Sequence, residues 1–431
     1  MKFIFLLLAF TVLCLHYSLA QTLSHAESLL VNNTAVSTGH LGITVYDPTT
    51  KTYLYNYNGD KNFIPASNMK LFTLYAGLKH LGDSVVAAGI IDTDTALYFL
   101  PAADPGFLLP EFAFQPLLDT LMRTKKPIYY INNTWADTPF GEGWMWDDYN
   151  GAYQPERSAL PIYGNLITID YYGTKKQTIT PAYFKDSLQP SSIKNVLDEI
   201  QRSEYKNLLF VNDDASAAKT YSIPFVTYNG NTNLAVLQQV LGKKIKSINS
   251  NFLKASVKPI MGIPTDTLFM LMMHRSDNFF AEQTLLMVSN ALSGKMQSKA
   301  AINQVLSEDL NGIPQPPNWV DGSGLSRYNL CTPQSLVFLL DKLQQSFGLE
   351  KMKQLLPTGG EGTLENYYQK YAGRLFAKTG TLSNNTSLSG YVITNKNKLL
   401  IFSLLANNYT GKGTPVKQAF ETFISTLIEN N

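Results

Sequence analysis

The chain has 431 residues with 35 basic and 33 acidic side chains, a net charge of +2. So even a balance, with no block of Lys/Arg, excludes a nucleic-acid partner on charge, and the length exceeds one ordinary domain, so two or three are expected. His25, His40, His80 and His274 are scattered, with neither a His-Glu-x-x-His nor a paired-cysteine spacing, so no metal site and no cofactor are expected.

In chain order, Met1-Lys2, the apolar run Phe3 to Leu15 and the small-x-small end Ser18-Leu19-Ala20 describe a cleavable secretory signal cut near Ala20/Gln21. The run is short for a bilayer span, and Cys14 follows Leu13 rather than a small residue, so neither a membrane anchor nor a lipoprotein is expected. The mature product is expected to be exported to a bacterial periplasm. After processing only Cys331 remains, which rules out an intrachain disulfide.

Leu41 to Tyr46 and Thr52 to Tyr57 alternate as strands and are joined by turn residues Asp47 to Lys51, a hairpin. Ile64 to Leu81 (IPASNMKLFTLYAGLKHL) breaks from a loop into an apolar helix. Short strands are expected over Ile90 to Leu100, a helix around Phe114 to Met122 and a strand over Ile128 to Asn132. Trp144 to Asn165 reads as an aromatic loop holding the adjacent carboxylates Asp147 and Asp148. Ile167 to about Val226 looks strand-like and polar, with a helix at Ile193 to Ser203. Helices follow at Leu234 to Leu241, Thr265 to Met273, Phe279 to Asn290 and Pro333 to Phe347. The end is β-rich: Arg374 to Thr381, Thr386 to Thr394 and Leu399 to Asn407, the last two joined by Asn395 to Lys398. The amphipathic Ala419 to Ile428 is expected to pack on a core. If the first hairpin and the last strands share one sheet, Ser67 lies beside Lys378-Thr379-Gly380.

Three motifs carry chemistry. Ser67 and Lys70, three apart at a helix start, share a face; a hydroxyl there meets free backbone N–H groups, and a neutral amine one turn on can take its proton. Ser191/Lys194, Ser203/Lys206 and Ser216/Lys219 repeat the spacing without the apolar helix. Ser276-Asp277-Asn278 opens an apolar helix; Ser276 can relay a proton to a leaving amine and Asn278 can hold a substrate amide, although Ser-x-Asn recurs at Ser247/Asn249 and Ser383/Asn385. Lys378-Thr379-Gly380, followed by Thr381, occurs once. Its cation and hydroxyl suit a carboxylate, Gly380 allows close approach of substrate backbone, and the N–H of Thr381 can complete an oxyanion hole with that of Ser67.

The trio, in this order, resembles the penicilloyl-serine transferases. Within them the chain is most similar to the low-molecular-mass class C penicillin-binding proteins, D-alanyl-D-alanine carboxypeptidase/endopeptidases of bacterial envelopes. The 206 positions from Lys70 to Ser276, the stretch Asp321 to Arg327 (DGSGLSR) with Asn329, Gly359 to Leu364 (GGEGTL) and Ser389-Gly390-Tyr391 select that branch. The resemblance implies an α/β fold: a β-lactamase/transpeptidase-like sheet flanked by helices, with a large inserted domain and a smaller nested β-rich domain. On that pattern 21–85 and 258–431 form the catalytic domain, 86–171 and 227–257 the insert, and 172–226 the nested module. It implies Ser67 as nucleophile, Lys70 as base, Ser276 as proton relay, Asn278 on the substrate amide, and Lys378 and Thr379 on the terminal carboxylate. Asp148, or its neighbour Asp147, would meet the ammonium and Arg327 the carboxylate of a diaminoacid side chain. The implied partners are peptidoglycan stem peptides and, as inhibitors, β-lactam antibiotics. A β-lactamase or serine esterase on the same scaffold, and a non-catalytic wall-binding or sensor protein, are the alternatives that activity separates.

Overall fold

The computed structural model describes residues 28–171, 177–190, 200–211, 219–249 and 256–431. The expected leader with its cleavage site, His25, the Ser191/Lys194 pair and Ser216 lie outside the described residues. The chain divides into two compact units, one of Met1–Tyr75, Met270–Ser276 and Leu306–Asn431, the other of Ala76–Phe269 and Asp277–Val305.

The first unit is built on a five-stranded antiparallel sheet. Its strands are β1 (His40–Asp47), β2 (Thr52–Tyr57), β3 (Leu375–Leu382), β4 (Asn385–Ile393) and β5 (Leu399–Asn407), in the order β3-β4-β5-β1-β2. The hairpin and the terminal strands therefore do share a sheet, with β1 against β5 from His40↔Asn407 to Tyr46↔Ile401. β5 reads Leu-Leu-Ile-Phe-Ser-Leu-Leu-Ala because both its faces are covered; alternation of polar and apolar residues would leave one face wet. Helix α1 (Lys70–His80) follows the 3₁₀ turn Ala66–Met69, helix α2 is Pro333–Phe347 and helix α3 is Gly413–Asn430. Phe420, Phe423, Ile424 and Leu427 of α3 enter one core with Val45, Leu388, Phe402 and Leu404. The buried Leu336, Leu339, Leu340 and Leu343 of α2 face the sheet, and the Tyr391 hydroxyl of β4 donates to Leu340 O at 2.7 Å. α2 starts where the sequence places it because Thr332 caps it, its hydroxyl accepting from Ser335 N at 3.0 Å, and Pro333 needs no N–H partner at the first position.

The second unit holds a five-stranded sheet in the order Ile245–Ile248, Ile128–Ile131, Leu97–Pro101, Ser84–Asp92, Lys258–Pro264. Two three-stranded sheets accompany it: Thr220–Pro224, Leu166–Tyr171 and Gln177–Thr180 form one, and Leu188–Pro190, Leu209–Val211 and Ile200–Arg202 the other. The helix expected at Ile193 to Ser203 is corrected in its described part: Ile200–Arg202 is a strand paired with Leu209–Val211. Ile200 and Arg202 are buried while Gln201 is half-exposed, a period of two, and Arg202 is held by Tyr149 O at 3.1 Å and Ser203 O at 2.9 Å. The apolar residues of Ile193 to Ile200 recur at helical spacing in the sequence, and the expected helix carried that period on past Ile200. The helix Asn278–Ser293 is fixed at Glu282, which accepts from buried Arg157 at 3.3 Å; Arg157 also pairs with Asp137 at 3.1 Å.

One buried carboxyl gives this unit a pH signature. Asp104 is 5% exposed, and burial pushes its carboxyl up to about 6 against one opposing hydrogen bond from Gly106 N. Between about pH 4 and 6 the folded chain keeps a proton that the unfolded chain has released, so stability falls as pH rises through that window. Asp104→Asn is expected to stabilise the fold above the window by up to about 3 kcal/mol and to change little below it. Melting temperatures of both proteins at acid and neutral pH test this; an equal shift at both would show that the carboxyl does not titrate there.

Candidate active site

Ser67 sits in the 3₁₀ turn Ala66–Met69 rather than in the α-helix expected for it, and Lys70 is the first residue of α1. The spacing still works, because a 3₁₀ turn places residues i and i+3 over one another. Ala66, directly before the serine, has φ +48°, a left-handed conformation that costs an alanine strain. Two glycines make the turn possible by close approach: a methyl group on Gly380 would lie 3.0 Å from Ser67 N, and one on Gly324 would lie 1.9 Å from Ala66 O.

Lys70 is fully buried, and its Nζ donates to Ser67 Oγ at 3.1 Å and to Ser323 O at 2.7 Å. Lys378 is also fully buried; its Nζ donates to Ser276 Oγ at 2.9 Å and to Thr379 O at 2.7 Å. Each buried lysine thus holds one serine hydroxyl. Burial, and after it repulsion from Lys70, holds the Lys378 ammonium well below the usual lysine range. The repulsion acts on both amines, so two full charges side by side are disfavoured and one lysine is pressed toward the neutral form that a base requires.

Ser276 takes φ +57° in the turn between the helices Thr265–His274 and Asn278–Ser293. The cap of the second of these helices is Asp277, whose carboxylate accepts from Phe280 N at 2.9 Å, and the Ser276 hydroxyl is left to Lys378. Thr379 Oγ1 donates to Thr363 Oγ1 at 2.8 Å. On the outer edge of β3, Ala377 N donates to Pro357 O at 3.1 Å, away from β4, and strand alternation turns the N–H of Thr379 and Thr381 to the same edge. A cavity of about 320 Å³ opens there, lined among others by Ser67, Ser276, Thr379, Gly380 and Thr381.

The loop Asp321 to Arg327 acts through its backbone, a role the residue pattern did not reveal. The buried Asp321 carboxylate accepts from Gly324 N at 2.8 Å, Ser326 N at 2.6 Å and Asn329 Nδ2 at 2.7 Å. That folds the loop so that Gly322 O accepts from Thr73 Oγ1 at 2.7 Å and Ser323 O from Lys70. Arg327 lies farther along, and its guanidinium donates to Ser383 O at 3.4 Å.

Asn278 and Asp148 belong to the second unit. There Asn278 Nδ2 donates to Tyr153 O at 2.9 Å, and the Tyr153 hydroxyl donates to Asp148 Oδ1 at 2.5 Å. Of the two adjacent carboxylates, Asp148 is the one tied to Tyr153, while Asp147 is exposed. Tyr153 was not singled out from the sequence. The competing Ser203/Lys206 pair lies in a turn after a strand and on no helix.

The chain is 26% identical over 428 residues to a D-alanyl-D-alanine carboxypeptidase of Actinomadura sp. strain R39, covering 86% of this chain and 78% of that one. Among solved structures it is similar to penicillin binding protein 4 from Haemophilus influenzae, with a TM-score of 0.76, 19% identity and coverage of 94% and 99%; that protein has also been solved in complex with a β-lactam. A predatory peptidoglycan endopeptidase from Bdellovibrio bacteriovorus matches with a TM-score of 0.52 at 16% identity, covering 90% of this chain and 92% of that one. The D-Ala-D-Ala carboxypeptidase 3 (S13) family matches over residues 23–224 and 227–427, nearly the whole chain, and the chain belongs to that family.

Proposed function

We propose a division of labour within a chain that is a serine-type D-alanyl-D-alanine peptidase acting on peptidoglycan stem peptides and their cross-links. Ser67 Oγ attacks the carbonyl of the scissile amide while Lys70 takes its proton. The oxyanion that develops is met by the backbone N–H of Ser67 and Thr381. The C–N bond then breaks and the leaving amine receives its proton through Ser276, which Lys378 orients. Water, deprotonated along the same path, cleaves the ester and returns the proton to Ser67. Lys378 and Thr379 attract the terminal carboxylate, and Asn278 holds the substrate amide. The observation that carries this reading is the pair of buried lysines, each donating to a different serine. Lys70 takes the proton from its neutral form, and two fully buried amines side by side disfavour double protonation.

By the same chemistry β-lactams acylate Ser67, and incubation with penicillin followed by mass spectrometry of the peptide carrying Ser67 tests the assignment. An adduct on another peptide would move the nucleophile elsewhere. We assign export to the periplasm with cleavage near Ala20/Gln21, which sequencing of the mature N-terminus checks.

Asp148 is assigned to the ammonium of a diaminoacid side chain and Arg327 to its carboxylate, with Tyr153 holding Asp148 in place. Asp148→Asn is expected to lower kcat/KM on diaminoacid-bearing peptides by about tenfold, the range of one charge-assisted contact, with Tyr153→Phe giving a smaller loss in the same direction. Comparing a peptide whose side-chain amine is free with its acetylated form makes the test specific. An equal loss on both would remove Asp148 from ammonium recognition.

A further inference from the structure

The cavity beside Ser67 continues past the residues assigned so far. Thr363, Leu364, Tyr367, Leu388, Phe420 and Lys417 line the same cavity and form an arm of it with no role assigned above. The cavity's volume, about 320 Å³, falls in the range of small-molecule pockets and far exceeds the needs of the single alanine a carboxypeptidase releases. Apart from Thr363 the walls of this arm are apolar and aromatic, and they carry one cation. Lys417 Nζ lies 5.9 Å from the Tyr367 ring centroid, and among the described residues it makes no ion pair. Its half-buried stem lies on α3, the helix that packs Phe420 and Phe423 into the core, so the ammonium has a firm base.

We propose that this arm is a subsite for an extended, anionic leaving group, the acceptor strand of a peptide cross-link, with Lys417 meeting a carboxylate carried well beyond the scissile amide. The proposal rests on the peptidase reading above, which fixes the direction. Ser276 hands a proton to the leaving amine and Thr379 meets the carboxylate next to it, and both line the cavity from which the arm departs. A fragment leaving from Ser276 thus enters a space that Tyr367 and Lys417 also line. In the reaction the Ser67 ester forms and the amide C–N bond breaks. The Ser67 proton ends on the leaving amine, and the released fragment is a whole acceptor peptide. Water then hydrolyses the ester as before.

The test uses the mature full chain with Lys417→Met and Lys417→Glu. Three substrates are compared: a monomeric peptide ending in two D-alanines, a cross-linked dimer, and the same dimer with the acceptor's terminal carboxylate amidated. The ratio of kcat/KM for the dimer to that for the monomer is expected to fall about fivefold in Lys417→Met and further in Lys417→Glu, where attraction becomes repulsion. Amidation should lower the ratio in the unsubstituted protein and leave Lys417→Met unmoved. A ratio that stays within about twofold across the three proteins overturns the proposal, as does a protein that cleaves the monomer and not the dimer. Penicillin labelling of Ser67 separates the two readings: an unsubstituted protein that takes no label and cleaves no substrate brings down the peptidase assignment and this subsite with it.

Discussion

Ser67→Ala is expected to abolish the penicillin adduct and to lower kcat on D-alanyl-D-alanine peptides by ~10⁵-fold or more, as loss of the nucleophile does in other serine hydrolases. The folded state should hardly notice: Ser67 is half-buried, and the one hydrogen bond lost, from Lys70 Nζ, leaves that amine still bonded to Ser323 O at 2.7 Å. Lys70→Arg should fail nearly as completely while keeping the charge. A guanidinium stays protonated at any working pH, so it cannot take the Ser67 proton, and its planar fork does not fit the cavity that one ammonium fills. The pair is informative together. If Lys70→Arg were still acylated at an appreciable rate, Lys70 would be an electrostatic anchor and the base would lie elsewhere; Ser276, held by Lys378 at 2.9 Å, would be the next candidate. Adduct formation against time, with melting temperatures to confirm folding, decides both.

The parts of the fold that could be read from the chain are those whose signal is local. β5 and α2 stand over the same residues in sequence and structure, the first as an unbroken apolar run, the second between the Thr332 cap and Gly348. Likewise Ser67 and Lys70 are one turn apart, so their meeting needs no knowledge of the tertiary fold. The strand order was not legible; the sequence suggested only that the first hairpin and the last strands could share a sheet, and β1 pairs with β5 as that requires.

What stayed hidden depends on contacts far apart in sequence or on groups that no residue name advertises. Ser323 acts on Lys70 through a carbonyl oxygen, which every residue possesses; only the turn-forming Asp-Gly-Ser-Gly run hints that the backbone there is specially bent. The Thr363–Thr379 contact joins a short 3₁₀ turn to an edge strand, and Tyr153 reaches Asp148 across a loop without periodicity. Short elements were lost for a similar reason. Ile245–Ile248 and Leu349–Leu355 offer too few residues for either period to emerge, and Ile200–Arg202 shows that three residues of a strand can be overruled by helical spacing upstream.

Gly324→Ala is expected to slow acylation by penicillin and hydrolysis of peptides by ~10²-fold, although residue 324 never touches substrate. At φ +84° the added methyl group would stand 1.9 Å from Ala66 O and 3.1 Å from Ser67 N. Those are backbone atoms, so no rotamer change relieves the overlap; either the Asp321 loop or the Ser67 turn must move. The loop is held by three hydrogen bonds to a buried carboxylate. The turn contains Ala66, already strained at φ +48°, and is the softer partner. Displacing it carries Ser67 away from both Lys70 and the edge of β3. Gly312→Ala supplies the control, because Gly312 also has a positive φ, +93°, while an added methyl group there meets nothing within 4 Å. It bears the conformational cost, about 1–2 kcal/mol, without the collision. If Gly324→Ala were acylated as fast as Gly312→Ala, the contact would be packing alone; a slow Gly324→Ala beside a normal Gly312→Ala means that the loop sets the position of the nucleophile.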